Sequence, residues 1–237
     1  MGRMARRRQR IWITRARPGA DATAERVRAL GHDALIAPLL AVRNFEDVQV
    51  DLAGVAALAF TSANGVRAFA AICAERAIRV FAVGAATAQA ARVSGFKLVL
   101  SADGDVDALA EGIGQRRGEL RGAVLHPGAA EPAGDLAGAL ATYGVTARSL
   151  LLYETVPVKL EAEAAGQLVQ ADAVLLHSPR AAQVLAAVLK AHPAPKLRAL
   201  GLSKAVVKPL ARAKLASRAF PSMPMEGALL NLIDRAP

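Results

Sequence analysis

A single cysteine, Cys73, stands in 237 residues, so the chain can close no internal disulfide and build no multi-cysteine metal site. It reads as a small buried hydrophobe on a helix. Aromatic residues are scarce, at 4% against 54% hydrophobic residues in all. The core is therefore aliphatic, the usual material of helices laid on a parallel sheet. No apolar run approaches the roughly 18 residues that a membrane-spanning helix needs. The first ten residues are strongly basic, but the strand-like segment after them is soon interrupted by Arg15 and Arg17, which argues against a secretory signal. Cofactor motifs are missing too: there is no Gly-x-x-x-x-Gly-Lys-Ser/Thr loop, no Gly-x-Gly-x-x-Gly after a strand, and no Gly-x-Ser-x-Gly elbow.

Acidic residues are outnumbered 20 to 30 by lysine and arginine, leaving a formal charge of +10. Such an excess suits nucleic acid, an anionic membrane surface or a polyanionic small molecule. Nucleic acid is the weaker option, because the cations beyond the N-terminus are dispersed and few aromatics lie among them for base stacking. The histidines do not gather for metal: His32 and His192 fall in loops, and His126 and His177 each close a strand before a turn. Asp103, Asp105 and Asp107 lack the later glutamate of a calcium loop and read as helix N-terminal charge.

The chain does contain a repeated construction. Leu58 to Val66 is an apolar run that stops at Thr61 and Ser62 before an amphipathic segment, giving a buried strand, a tight turn and a helix start. The same order returns from Ala173 to Ala182, with Ser178 as helix cap and Pro179 at the first helical position. Around these stretches the chain reads as four blocks. A strand, helix and strand unit at Ile11–Leu40 can be laid over Ala123–Tyr153, and Leu58–Ile113 over Val174–Ile233. Two strands plus three make a five-stranded parallel sheet twice over. Boundaries near residues 42–51 and 154–159 permit either two sequential lobes or one lobe inserted into another.

Local expectations accompany this outline. The central helix runs to about Ala77, residues 42–51 form a connection, and Pro209 kinks or delays a helix within Ser203–Leu215. Gly84-Ala-Ala-Thr87 opens a helix after a strand and is able to take an anion. Hydroxyl residues recur where strands finish or helices begin: Thr14, Thr61, Ser62, Thr87, Ser101, Ser178 and Ser203. On two facing lobes they would line a polar cleft, suited to holding carboxylates without a strong nucleophile.

Several segments together resemble the uroporphyrinogen-III synthase family. They are Ile13-Thr-Arg15 with Pro18-Gly19, Leu30-Gly31-His32, Ala37-Pro38-Leu39, Phe60-Thr-Ser-Ala-Asn-Gly-Val66, Val83-Gly84 with Thr87, Ser101-Ala-Asp-Gly104, Leu152-Tyr-Glu-Thr155 and His177-Ser178-Pro179. The resemblance implies an α/β fold of two similar lobes, each a roughly five-stranded parallel sheet with helices on both faces, joined by a two-stranded linker. It selects the inserted arrangement, with residues 1–41 and 157–237 forming one lobe and 42–156 the other.

The implied reaction closes linear hydroxymethylbilane, which carries eight carboxylates, into uroporphyrinogen III. Water is lost and the last pyrrole ring is inverted through a spiro intermediate, with no metal or organic cofactor. Similarity points to Tyr153 as the acid that assists hydroxyl departure. It makes Thr61, Ser62, Thr87 and Ser178 substrate-binding, with Ser203 and the charge of Arg15 as further contributors. The chain departs from the family at residues 127–134, where many relatives place an arginine and Gly128-Ala-Ala-Glu131 offers none. A cytoplasmic monomer, with neither nucleic acid nor membrane as partner, is expected. The alternative is a non-catalytic two-lobed binder of a polycarboxylate.

Overall fold

The computed structural model describes residues 7–132 and 134–235. The start of the basic tail, residues 1–6, lies outside them. The chain divides into two compact units, one made of residues up to Ala41 and from Val156 onward, the other of Val42–Thr155.

In chain order, the first unit opens with β1 (Arg10–Ile13), α1 (Gly19–Ala29) and β2 (Asp33–Ile36). The second unit follows with β3 (Leu40–Asn44), β4 (Val55–Phe60), α2 (Ala63–Ile72), β5 (Arg79–Ala82), α3 (Ala85–Val93), β6 (Val99–Ser101), α4 (Val106–Gly114), β7 (Ala123–Ala129), α5 (Leu136–Thr142) and β8 (Ala147–Pro157). The chain then completes the first unit with α6 (Ala162–Leu168), β9 (Ala173–Leu176), α7 (Pro179–Ala191), β10 (Arg198–Gly201), α8 (Lys204–Val207), β11 (Ser217–Ala219) and α9 (Glu226–Leu230).

The first unit's sheet has the order β11-β10-β9-β1-β2, and every pairing in it is parallel. Alternate residues of a strand face opposite sides, and both sides are covered here. Trp12, Val174, Leu176 and Ala199 pack against Ala182, Leu185 and Leu189 of α7. Ile11, Ile13, Ala173 and Leu175 pack against Ala20, Ala24 and Val27 of α1 and against Leu229 and Leu230 of α9.

The second unit's sheet has six strands, in the order β3-β8-β7-β4-β5-β6. Its last five are mutually parallel. Leu58, Phe60, Val80 and Leu125 meet Val66, Ala68 and Phe69 of α2 on one face. Ala57, Ala59, Phe81 and Val124 meet Leu109, Ala110 and Ile113 of α4 and Leu136 and Leu140 of α5 on the other. Half of the chain's six phenylalanines gather under α2, with the rings of Phe60, Phe69 and Phe96 5.9 to 6.3 Å apart. Such spacing adds about 0.5–1.5 kcal/mol per pair beyond burial.

Three local expectations need correction. Residues 42–51 are more than a connection: β3 joins the sheet against β8, and the Phe45 N–H donates to the Leu152 carbonyl at 2.9 Å. The Val158 N–H likewise donates to Leu39, so residue numbers rise on one strand as they fall on the other, which makes this ribbon antiparallel. The central helix stops at Ile72, and half-buried Cys73 is its C-cap, off the helix proper. Arg76 explains the stop. Its guanidinium donates to the carbonyls of Ala70, Cys73, Glu75 and Ser94 and lies 4.9 Å from the centre of the Phe96 ring, giving the helix-end carbonyls a side-chain partner in place of another turn. The segment from Ser203 holds only a four-residue helix and a 3-10 turn at Lys208–Leu210, because Pro209 carries no N–H to continue an α-helix.

Candidate functional site

In a parallel sheet every strand ends on the same edge, and each following helix presents unpaired N–H groups there. In the second unit that edge carries Thr61 and Ser62 after β4, His126 on the adjacent β7 and Tyr153 on β8 beyond it. Ser62 caps α2, its Oγ accepting from the Gly65 N–H at 3.1 Å. The cap can sit beside β7 only because residue 65 is glycine: a Cβ there would lie 2.7 Å from the Pro127 carbonyl oxygen.

From the far side of β7, β8 brings Tyr153, whose hydroxyl lies 2.7 Å from Ser62 Oγ. Tyr153 is 5% exposed. Burial pushes its phenol above the ordinary value of 10, while the Ser62 hydrogen bond and the charge of Arg67 pull less strongly the other way. It therefore keeps its proton throughout the neutral range and can serve as an acid, with Ser62 placed to stabilise the oxygen left behind.

Beside this pair, Thr61 Oγ1 lies 3.1 Å from Nε2 of His126 on β7. His126 is 7% exposed, and burial holds its pKa below 6.5, so the ring is neutral near pH 7. Thr87 is buried in the first turn of α3, after β5, and no hydrogen bond links it to Thr61, Ser62 or Tyr153.

The first unit places Arg15, Ser178 and Ser203 after β1, β9 and β10, which are neighbours in its sheet. They do not bond to one another. Ser178 Oγ accepts the Ala181 N–H at 3.2 Å and caps α7. Ser203 stands at the N-cap of α8 without a side-chain cap.

Arg15 is committed elsewhere. Its Nη1 lies 3.3 Å from Glu226 Oε1 and 3.4 Å from Thr23 Oγ1. Thr23 also donates to Glu226, Arg26 Nη1 donates to Glu226 Oε2 at 2.9 Å, and His177 Nε2 stands 3.6 Å from Oε1, beyond hydrogen-bond reach. Burial alone would raise the Glu226 pKa. His177, the Thr23 hydrogen bond and the charge of Arg15 outweigh it and bring the carboxyl from 4.5 down to about 2. His177 is itself pushed below its usual value, chiefly by burial.

Sequence reasoning missed this cluster, because Glu226 lies in none of the motif segments singled out above. The one available signal was an acid in a first turn amid an excess of cations. Among the described residues no group of three His, Cys, Asp or Glu side chains is placed to hold a metal ion, and no helix is long and apolar enough to cross a membrane.

The parallel sheets, covered on both faces and carrying hydroxyls at their strand ends, define a two-unit α/β protein with polar sheet edges. The family model described as uroporphyrinogen-III synthase HemD matches residues 21–231, and the chain belongs to that family. Among solved structures it is similar to uroporphyrinogen-III synthetase from Helicobacter pylori, with 17% identity, a TM-score of 0.68, and 96% and 98% of the two chains covered. It is also similar to a mutant uroporphyrinogen III synthase from the extremely thermophilic bacterium Thermus thermophilus, with 19% identity, a TM-score of 0.53, and 95% and 97% covered. These two likenesses speak for the fold. No curated protein sequence matches the chain.

Proposed function

We propose that Tyr153 is the acid of a uroporphyrinogen-III synthase, a cyclising lyase of porphyrin biosynthesis, and that Ser62 is its direct partner. The observation that carries this reading is the 2.7 Å contact between the two hydroxyls at a sheet edge where the phenol is almost wholly buried. Hydroxymethylbilane loses its terminal hydroxyl as water when Tyr153 gives that oxygen a proton. The phenolate that remains accepts the Ser62 hydrogen bond, and the substrate is left as an azafulvene cation. Attack by the substituted carbon of the last ring gives the spiro intermediate. Fragmentation and reclosure in the inverted sense, with loss of a ring proton, restore the aromatic pyrrole, and return of that proton to Tyr153 closes the balance. Positioning supplies most of the rate and of the preference over spontaneous closure.

Thr61, Thr87, Ser178 and Ser203 are the proposed hydroxyl donors to substrate carboxylates. Arg15, neutralised in part by Glu226, acts through its field more than through a direct fork. The net charge of +10 suits an octacarboxylate. We further propose that the protein works as a cytoplasmic monomer, with neither nucleic acid nor membrane as partner. The lone cysteine suits a reducing compartment, and the dispersed cations with few aromatics among them speak against nucleic acid.

Incubating the purified protein with freshly generated hydroxymethylbilane, then separating the oxidised uroporphyrin isomers, tests the function. Isomer III in excess of a protein-free control is the expected result. Isomer I alone, from folded protein, would leave the non-catalytic polycarboxylate binder standing.

A further inference from the structure

The contact between Thr61 and His126 decides what Thr61 can offer a ligand. A threonine hydroxyl has one proton and two acceptor sites. If Thr61 gives that proton to a bare Nε2, its outer side shows only lone pairs, which repel a carboxylate. If instead Nε2 carries the ring proton and donates to Oγ1, the threonine proton is free to point away from the histidine. Thr61 itself is only partly buried.

His126 is held close against this hydroxyl. It lies on β7, next to β4, whose end carries Thr61, at 3.1 Å and with almost no exposure of its own. Its ring is fitted to the backbone around it. Gly128 stands two residues on, on the same strand face, and a Cβ there would come within 3.1 Å of Nε2 and 3.4 Å of Cε1. A side chain at 128 would therefore crowd the ring atom that meets Thr61. The strand end that lacks an arginine is thus the one that makes space for this imidazole.

We propose that His126 is a positioning residue, whose Nε2–H donates to Thr61 Oγ1 and turns the threonine's only hydroxyl proton outward, toward a carboxylate of the substrate. This rests on the reading of Thr61 as a substrate-binding residue. His126 touches no substrate and supplies no proton to the reaction; it fixes which way one donor faces.

The test is a double-mutant cycle with hydroxymethylbilane as substrate, using Thr61→Val, His126→Leu, the double variant and His126→Gln. Leucine fills the space without a donor, whereas the glutamine amide can restore an N–H near the Nε2 position. His126→Leu should raise KM about tenfold, equivalent to about 1.4 kcal/mol, and far more than it lowers kcat. The double variant should be no worse than Thr61→Val alone, and His126→Gln should recover most of the loss. Additive effects, or a glutamine variant as poor as leucine, would overturn the proposal.

Should the leucine variant fail to fold, nitrogen NMR of the ligand-free wild-type protein reads the tautomer directly. Protonated Nε2 supports the assignment, and protonated Nδ1 with bare Nε2 overturns it. Absence of isomer III from wild-type protein would instead reject the synthase reading and the substrate named here, while the tautomer measurement still decides the direction of the hydrogen bond.

Discussion

Replacing Glu226 by glutamine removes the charge at the centre of the first unit's polar cluster and keeps one acceptor oxygen of two, enough for Thr23 and Arg15 or for Arg26 but not for all three. In the folded chain the carboxyl titrates at about 2, against 4.5 as its unperturbed value. A depressed folded pKa contributes stability that is present above the unfolded value and lost as pH falls through the folded one. At about 1.36 kcal/mol per unit, the shift corresponds to roughly 3 kcal/mol above pH 5. The Glu226 side chain is 21% exposed, but Arg26 is 57% exposed, so solvent screening brings the expectation to about 2–3 kcal/mol. Roughly half of that should be gone by about pH 3.

Trp12 makes the measurement selective. It is the sole tryptophan, wholly buried in β1, and its indole N–H donates to the Ala37 carbonyl at 2.8 Å, so its fluorescence follows the unit that contains Glu226. Urea unfolding of wild type and Glu226→Gln at a series of pH values should show a stability gap at pH 6 that narrows steadily on acidification. Other carboxylates titrate in both proteins and drop out of the difference. A gap that stayed constant between pH 6 and pH 3, or no gap at pH 6, would show that the cluster does not hold the carboxyl in its charged form.

Tyr153→Phe should lower kcat for isomer III formation by about a hundredfold, the lower end for general acid catalysis, with an unchanged circular dichroism spectrum; wild-type turnover would remove Tyr153 from the acid role. Because burial raises the Tyr153 phenol above 10, wild-type kcat should show no loss from phenol ionisation up to about pH 9. An alkaline decline centred below that, and missing from the phenylalanine variant, would contradict the burial argument. Gly65→Ala pushes a methyl group against the Pro127 carbonyl, which belongs to the backbone and cannot swing aside. The cost should be about 1–3 kcal/mol, read as a lower melting temperature, and an unchanged one would mean that α2 can ride away from β7 freely.

Beyond the α/β architecture with its parallel sheets, what the sequence made legible was local. Ser62 and Ser178 each end an apolar run and begin a helical one, so their capping roles follow from the neighbouring residues alone. Asp105 likewise caps α4, as its place before an apolar-periodic segment suggests. The overextension of α2 has an equally physical source. Residues 73–77 have adequate helical propensity, but in the fold the Arg76 guanidinium takes up four carbonyls, one of them 18 positions away at Ser94, in place of a further turn.

Pairings across the sheet carried no local mark. His126 meets Thr61 from 65 positions away, because β7 lies beside β4, and Glu226 meets Thr23 across 203 positions. The strand β3 was read as a connection for a similar reason: it is short and half-exposed, and its partner lies more than a hundred residues later.

The strand order of the first unit also sets a schedule. Its β1 is flanked on one side by β9, and Ile11 pairs with Ala173. A ribosome adding about 5–20 residues per second needs on the order of 10–30 s to travel between them. During that interval β1, α1 and β2 exist as a fragment with one sheet edge unclaimed and with Trp12 and Ile13 lacking most of their eventual cover. The second unit, drawn from one uninterrupted stretch, has all its strands in hand by about residue 157 and can consolidate while still tethered. Birth order and maturation order of the two units are therefore reversed: the unit begun earlier is the one finished later. Chaperone dependence, ribosome pausing and the penalty of early truncation should all fall on the opening forty residues and on whatever shields them in the meantime.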